Sequence, residues 1–218
     1  MKNLNPSKFL HEELKNSFVV ESPIWMDSST QKICDELELN IGGIQELSEI
    51  TGSRAYCRFT ISQIAKQYRL KNLENCERIS LISSFLGTLF LGGYMPIDYS
   101  DASGMNLLCI KSLDWSSKCL KALDLPEDEI RKKLGKPIQS SNDCGNISNY
   151  FVKKYGFDAN CLISAFSGDN PNSASFTLRK EDDISVSLGT SNTIFGYVKD
   201  YKPNGEEGHL FISPFYEV

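Results

Sequence analysis

The side chain with the clearest chemical potential is Asp169, which follows a short apolar segment and is flanked by Gly168 and Pro171. Ligands of α/β sheets bind at the carboxyl ends of strands, so this position suits a carboxylate that acts on a ligand. Asp169 could accept a proton from a hydroxyl or bind a metal ion, and Asn170 adds two donors and an acceptor. The same residues also fit an ordinary Asx turn in which Asp169 caps a helix.

Two further turns carry groups of the kind that bind ligands. The tight turn Gly189-Thr190-Ser191 exposes backbone N–H groups and two hydroxyls, which together can hold a phosphate without a lysine. Arg54 lies just beyond Gly52, where a helix is expected to end, and can reach a ligand hydroxyl or anion. A simple β-turn and a surface arginine remain the alternatives at these two places.

A fourth polar segment, residues 98–106, reads Asp-Tyr-Ser-Asp-Ala-Ser-Gly-Met-Asn and follows an apolar run. It is either part of a site or a turn whose polar groups satisfy one another. Other kinds of site are excluded, because the P-loop, the dinucleotide-binding glycine motif and the G-x-S-x-G elbow are all missing from the sequence. The two histidines, His11 and His209, offer little material for a zinc site or a Ser-His-Asp triad.

The elements that must position these groups alternate between helices and strands. Helices are expected after Ser28-Ser29-Thr30, around 45–50 and over 126–134, and strands are expected over 79–82, 162–166, 183–188 and 193–198. The last two strands flank the Gly189 turn as a hairpin. Charges over 127–133 are placed as on a solvated helix face. This alternation predicts an α/β sheet, with a boundary near the charged 178–183 stretch.

Composition narrows the class of protein. The 218 residues include 40% hydrophobic side chains, enough to bury a sizeable core. A net charge of −5 without a Lys/Arg-rich run argues against a nucleic-acid partner. The sequence shows neither an apolar signal segment nor a membrane span. The seven cysteines contain no C-x-x-C, so we expect free thiols in a reducing compartment and place the protein in the cytoplasm.

Taken together and in order, these segments resemble the FGGY family of carbohydrate kinases, and within it the eukaryotic xylulose kinases. The most specific matching string is Asp-Tyr-Ser-Asp-Ala-Ser-Gly-Met-Asn-Leu-Leu at 98–108. It is accompanied by Thr-Gly-Ser-Arg-Ala-Tyr at 51–56, the turn at 166–171 and Val-Ser-Leu-Gly-Thr-Ser at 186–191. The resemblance covers the chain from about Glu21 to Pro214, and its last string is shared widely among sugar kinases.

The resemblance implies the α/β, actin-like or ribonuclease-H-like fold, in which two domains close around a cleft between a sugar and ATP. It implies the transfer of phosphate from ATP, with Mg²⁺, to D-xylulose. Asp169 matches the catalytic base, Arg54 and Asn170 match sugar-binding positions, and Gly189, Thr190 and Ser191 match a phosphate-binding turn. No metal-ligating residue and no firm role for Asp98 or Asp101 are implied. A kinase for another ketose or polyol is the alternative.

The sequence departs from the family at its beginning. The family's first phosphate loop, an Asp-Gly-Thr-type hairpin, is missing, and so is an upstream histidine that contacts the sugar. We therefore expect residues 1–20 to be unassigned, 21–178 to form the later part of the sugar-binding domain, and 179–218 to begin the ATP-binding domain. Both domains would be incomplete, so we expect this chain alone to be a poor kinase, or a sugar-binding isoform that pairs with another chain. The sequence is silent on its oligomeric state.

Overall fold

The computed structural model describes residues 4–19, 21–189 and 192–215. Its helices are α1 Leu10–Glu13, α2 Gln31–Ile41, α3 Ile44–Thr51, α4 Thr60–Arg69, α5 Ile82–Leu91, α6 Tyr99–Ala102, α7 Ser117–Ala122, α8 Glu127–Leu134, α9 Asn149–Tyr155 and α10 Asp169–Thr177. A 3₁₀ turn, Ser103–Met105, follows α6. The strands are β1 Leu108–Cys109, β2 Asp114–Trp115, β3 Asp143–Asn146, β4 Leu162–Ser164, β5 Ile184–Ser187 and β6 Thr193–Gly196.

The strands pair in antiparallel twos, β1 with β2, β3 with β4, and β5 with β6. The predicted hairpin is confirmed, because Ile184 faces Gly196 and Ser187 faces Thr193 across the β5–β6 ladder. The strand predicted over 79–82 is wrong. The Ile79 N–H pairs with the Lys133 carbonyl instead of a strand, and Ile82 begins α5.

Two apolar clusters hold most of the buried side chains. The first joins α2, α3, α4, α7 and α8, with fully buried members Leu37, Leu47, Ile61, Leu120 and Ile130. The second joins α5, α9 and β4 through Leu89, Phe151 and Ile163. Each fully buried aliphatic side chain of this size contributes about 1.5–3 kcal/mol. Met95 belongs to the second cluster and Ile97 to the first, so the chain crosses between them just before residue 98.

Helix α2 forms where the sequence predicts it and ends at a glycine. In α2 the buried residues Cys34, Leu37 and Ile41 share one face, and Gly42 ends the helix in a left-handed conformation with φ 110°. Thr30 occupies the N-cap position of α2, but its hydroxyl donates to the Cys57 carbonyl at 2.6 Å rather than capping the helix.

The sequence predicts that the charges of α8 lie on a solvated face, and the structure shows that one of them does not. Two i,i+4 ion pairs are present, Glu127 with Arg131 at 2.9 Å and Glu129 with Lys133 at 3.3 Å. Lys133, however, is buried, and its ammonium donates to the Leu73 carbonyl at 3.1 Å. The long lysine stem packs on the first cluster while its charged end finds carbonyl oxygens.

The segment after the hairpin returns to α3 and the residues beyond it. The Tyr201 hydroxyl donates to the Ser48 carbonyl at 3.0 Å, and the Leu210 N–H donates to the Gly52 carbonyl at 2.8 Å. A Cβ at position 52 would lie 2.0 Å from the Leu210 carbonyl oxygen, and the backbone there has φ 88°. Only glycine meets both conditions, so Gly52 allows this segment to lie against the Arg54 loop.

Among the described residues, no helix is long and apolar enough to cross a membrane. None of the seven cysteines, all of which are described, forms a disulfide.

Candidate active site

Asp169 is the first residue of α10, and Gly168 is its N-cap. The side chain is exposed, and its Oδ1 accepts the N–H of Asn170 at 2.7 Å. The expected alternative, in which Asp169 is itself the cap, does not describe this turn. A carboxylate in the first turn of a helix faces the positive end of the helix dipole. Asp169 is therefore an accessible anion whose orientation is set by the backbone beside it.

Behind this turn lies the carboxyl of Asp101, on α6. Its Oδ2 accepts a hydrogen bond from the Ser83 hydroxyl, which α5 supplies. Its Oδ1 lies so close to Gly168 that a Cβ at that position would be 2.6 Å away. Burial, together with the charges of Asp98 and Asp169, raises the pKa of Asp101 to about 6, while the Ser83 hydrogen bond opposes the rise. These contacts bring α5, α6 and α10 together at one point.

Asp98 caps α6 and is fully buried. Its Oδ1 accepts the Asp101 N–H at 3.1 Å, and its other oxygen accepts the Ser140 hydroxyl. Burial raises the pKa of Asp98, while the hydrogen bond from Ser140 opposes the rise. Asp98 thus fixes the start of α6, and with it the position from which Asp101 projects.

Arg54 is neither buried nor a free surface arginine. Its side chain is 38% exposed, with Nε 3.5 Å from Glu38 Oε1 and one terminal nitrogen 3.9 Å from Glu206. The same Glu38 oxygen accepts the N–H of Ala55 at 2.9 Å. The carboxylate of Glu38 therefore holds both the backbone and the guanidinium of this loop, and it leaves part of the guanidinium open to a ligand.

The side chain of Asn106 holds the Arg54 loop in place through hydrogen bonds. This fully buried residue donates through Nδ2 to Ser53 Oγ and to the Arg54 carbonyl, both at 3.0 Å. Its Oδ1 accepts the Tyr56 N–H at 3.2 Å. The backbone of Asn106 is left-handed, with φ 51°, a conformation that asparagine tolerates better than most residues.

The segment 98–106 therefore contacts both parts of the predicted sugar site. Asp101 lies against Gly168 in the Asp169 turn, and Asn106 forms hydrogen bonds with the Arg54 loop. The structure records no direct contact from Arg54 to Asp169 or Asn170 within the part of the chain it describes. The sequence analysis singled out the segment that contains Asn106 without giving Asn106 a role, and it missed Ser83 and Ser140. The polar density of 98–106 was the available signal for Asn106, and neither Ser83 nor Ser140 had one.

A cleft of about 390 Å³ opens beside this turn. Its lining includes Ser140, Ser167, Asn172, Pro214 and Phe215. Asp169 is not among the lining residues, although Ser167 and Asn172 flank it in sequence.

The predicted phosphate turn is described only at Gly189, which is exposed just beyond β5. Thr190 and Ser191 lie outside the described residues. Within the described residues, no group of three His, Cys, Asp or Glu side chains is arranged to hold a metal ion.

Comparison with known proteins identifies the family. The N-terminal domain of the FGGY family of carbohydrate kinases matches residues 9–176. The xylulose kinase of Mus musculus is 50% identical over 98% of this chain and 39% of its own length. Xylulose kinase 2 of Arabidopsis thaliana is 47% identical over 98% of this chain and 38% of its own length. The chain thus spans about two fifths of these curated relatives.

Solved structures agree on the fold. Ligand-bound xylulose kinase from Lactobacillus acidophilus superposes with a TM-score of 0.67 at 21% identity, over 80% of this chain and 35% of that one. Plasmodium falciparum glycerol kinase gives 0.65 at 17% identity, over 78% and 34%. These neighbours confirm the expected sugar-kinase fold, of which the chain holds part. On the residue match and these identities together, the chain belongs to the FGGY family of carbohydrate kinases.

Proposed function

We propose that this chain carries the sugar-binding side and the catalytic base of an ATP-dependent D-xylulose kinase. The observation that carries the proposal is the Asp169 turn, an exposed carboxylate at a helix start that is backed by Asp101, in a chain about half identical to proteins named xylulose kinase. The product would be D-xylulose 5-phosphate.

In this proposal Asp169 takes the proton of the sugar's terminal hydroxyl as that oxygen attacks the γ-phosphorus of ATP and ADP leaves. A sugar hydroxyl is a weak nucleophile, and a positioned base contributes about 10²–10⁴-fold to the rate. Arg54 and Asn170 would bind sugar hydroxyls. The guanidinium suits this role because Glu38 holds it from one side and leaves it partly exposed.

The nucleotide would lie on the other side of the cleft. Gly189, Thr190 and Ser191 would donate backbone and hydroxyl hydrogen bonds to its phosphates, which fits the exposure of Gly189 at the end of the hairpin. Mg²⁺ neutralises charge on the transferred phosphoryl group when bound. This ion usually keeps several waters and takes one or two carboxylates plus substrate phosphates, so a three-residue protein cluster is not required.

The domain division at 178/179 belongs to the same proposal, with residues 21–178 on the sugar side and 179–218 beginning the nucleotide side. The cytoplasm is the proposed compartment, because free cysteines are retained in a reducing environment. D-xylulose is the proposed small-molecule partner.

Another ketose or a polyol is the alternative substrate. The fold neighbours include a gluconate kinase at TM-score 0.67 and a glycerol kinase at 0.65, so this fold accommodates sugar acids and polyols. The much higher identity to proteins named xylulose kinase favours D-xylulose over these.

The test uses a chimeric protein, the mouse chimera, in which this chain replaces the matching segment of mouse xylulose kinase. The rest of the mouse protein then completes the cleft between the sugar and ATP. ADP formation is measured with D-xylulose, D-ribulose and glycerol for the chimera and for its Asp169→Asn variant. Asp158→Asn serves as the matched control, because Asp158 is an exposed aspartate in a nearby turn.

The proposal expects D-xylulose to give the highest kcat/KM, and Asp169→Asn to lower it by about 10²–10⁴-fold while the control is unchanged. A preference for ribulose or glycerol would transfer the assignment to another ketose or polyol. Equal turnover by the chimera and its Asp169→Asn variant would refute the assignment of the base. A folded chimera that binds D-xylulose without turnover would identify a catalytically incomplete sugar-binding chain.

A further inference from the structure

We propose that Asp101 is a positioning residue for Asp169, holding the backbone turn from which the catalytic carboxylate projects. This inference rests on the function proposed above and concerns the same site. Asp101 is anchored on two sides, by the Ser83 hydroxyl on α5 and by the turn that Asp98 caps. Its free edge faces Gly168, the residue directly before Asp169.

The contact with Gly168 is close enough to set the course of the backbone. A Cβ at position 168 would lie 2.6 Å from Asp101 Oδ1, 3.1 Å from its Cγ and 3.3 Å from Pro171 Cδ. Carbon atoms do not approach an oxygen to 2.6 Å without displacement, so any larger residue would push the turn away from α6. The absence of a side chain at Gly168 and the carboxylate of Asp101 are therefore complementary.

The electrostatics of this arrangement are costly. Asp98 caps α6, Asp101 lies on it, and the charge of Asp169 at the start of α10 acts on Asp101. The hydrogen bonds recorded to the two α6 carboxylates come from the hydroxyls of Ser83 and Ser140 and from the Asp101 N–H. Among the residues that the structure describes, no lysine, arginine or histidine forms an ion pair with any of the three. Burial, with the charges of Asp98 and Asp169, raises the pKa of Asp101 to about 6.

The sign of the stability effect follows from this pKa. Because the folded-state pKa of about 6 lies above the ordinary 3.8, the folded chain binds more protons between those pH values. Stability therefore falls as pH rises through that window, and the loss is complete above about pH 6. At neutral pH the ionised Asp101 therefore lowers the stability of the fold, while its carboxylate lies against Gly168.

The experiment compares the 218-residue chain with Asp101→Asn, Ser83→Ala and the exposed control Asp158→Asn. Backbone amide shifts of residues 168–170 are followed by NMR from about pH 4 to about pH 8, and the thermal unfolding midpoint is measured at both ends. We expect an inflection near pH 6 in the wild-type amides, which Asp101→Asn abolishes. Ser83→Ala keeps the inflection but moves it to higher pH, because a hydrogen bond that lowers the pKa of Asp101 is lost.

The unfolding midpoint, taken together with kcat, distinguishes a positioning role for Asp101 from a purely structural role. Asp101→Asn should raise the midpoint at about pH 8 and have little effect at about pH 4, where the wild-type carboxyl is already largely protonated. In the mouse chimera the same substitution should lower kcat by about 10²-fold and leave the KM for D-xylulose nearly unchanged. A more stable protein with a slower reaction is not the signature of a merely structural residue.

Two results would overturn the inference. One is a flat pH response of the 168–170 amides in the wild type, and the other is an equal loss of stability in Asp101→Asn at both pH values. Failure of the proposed function looks different, because the 218-residue chain can still show the amide inflection and the pH-dependent gain in stability when the chimera has no D-xylulose turnover. Turnover without the inflection would refute only the role of Asp101.

Discussion

Replacement of Asn106 by alanine should both destabilise the protein and loosen the Arg54 loop. The substitution removes hydrogen bonds from Nδ2 to Ser53 Oγ and to the Arg54 carbonyl, and removes the acceptor for the Tyr56 N–H. Asn106 has no exposed surface, so water cannot readily replace these partners. The Ser53 hydroxyl still donates to the Arg54 carbonyl at 3.0 Å, which leaves the Tyr56 N–H as the main orphaned group.

The magnitude follows from two contributions. An orphaned buried donor costs about 1–3 kcal/mol. Alanine in the left-handed region, where Asn106 has φ 51°, adds about 1 kcal/mol. We therefore expect Asn106→Ala to lower the free energy of unfolding by about 2–4 kcal/mol. Asn106→Gly removes the same amide without the left-handed strain, so it should be less damaging by about 1 kcal/mol.

Urea unfolding at equilibrium measures these differences, with Asn72→Ala as the control. Asn72 is an exposed asparagine whose amide donates only to Gln67, so its replacement should change stability by less than about 0.5 kcal/mol. A cost below about 1 kcal/mol for Asn106→Ala would refute the reasoning. An Asn106→Gly variant no better than Asn106→Ala would refute the contribution from backbone strain.

Three further predictions concern neighbouring contacts. Burial, and then the charge of Arg58, lower the pKa of His209 to about 4 from 6.5, so the unfolded chain binds more protons in that window and stability should fall as pH drops through it. His209→Phe should flatten this part of the curve of unfolding midpoint against pH. Glu38→Gln keeps an acceptor for the Ala55 N–H but frees Arg54, so calorimetry should show weaker D-xylulose binding by the mouse chimera; unchanged affinity would contradict this. Gly168→Ala should displace the Asp169 turn and lower kcat by about 10²-fold, and full activity would show that Asp101 yields to the methyl group.

Local patterns predicted much of the secondary structure. The spacing of Leu37 and its neighbours gave α2, Gly52 marked the end of α3, and alternation around Gly189 gave the β5–β6 hairpin. The stretch beginning at Ile79 predicts a strand, because β-branched residues favour strands, but it leads into α5 instead. The start of α5 is supported by Ser84, whose hydroxyl accepts the Leu81 N–H at 3.0 Å and so satisfies a backbone donor there.

The arrangement of the site depended on contacts between distant parts of the chain. Asp169 and Asn170 are neighbours in sequence, so their juxtaposition was predictable. The approach of Asp101 to Gly168, and of Glu206 to Arg54, depends on how α6 and the returning C-terminal segment pack. Side-chain periodicity carries no information about such packing. The resemblance of 98–108 to the family indicated that the segment matters, and the contacts show that it supports both predicted sugar-binding segments.

The most direct test of the central claim separates chemistry from binding in Asp169→Asn. In the mouse chimera, D-xylulose affinity is measured by calorimetry and kcat by ADP formation, for this variant and the parent chimera. Asparagine keeps an oxygen that can accept the Asn170 N–H and a sugar hydroxyl, but it cannot take a proton. The account predicts a kcat lower by about 10²–10⁴-fold with affinity changed less than about 10-fold. Equal kcat in the two proteins, or a loss confined to affinity, would contradict the assignment of Asp169 as the base.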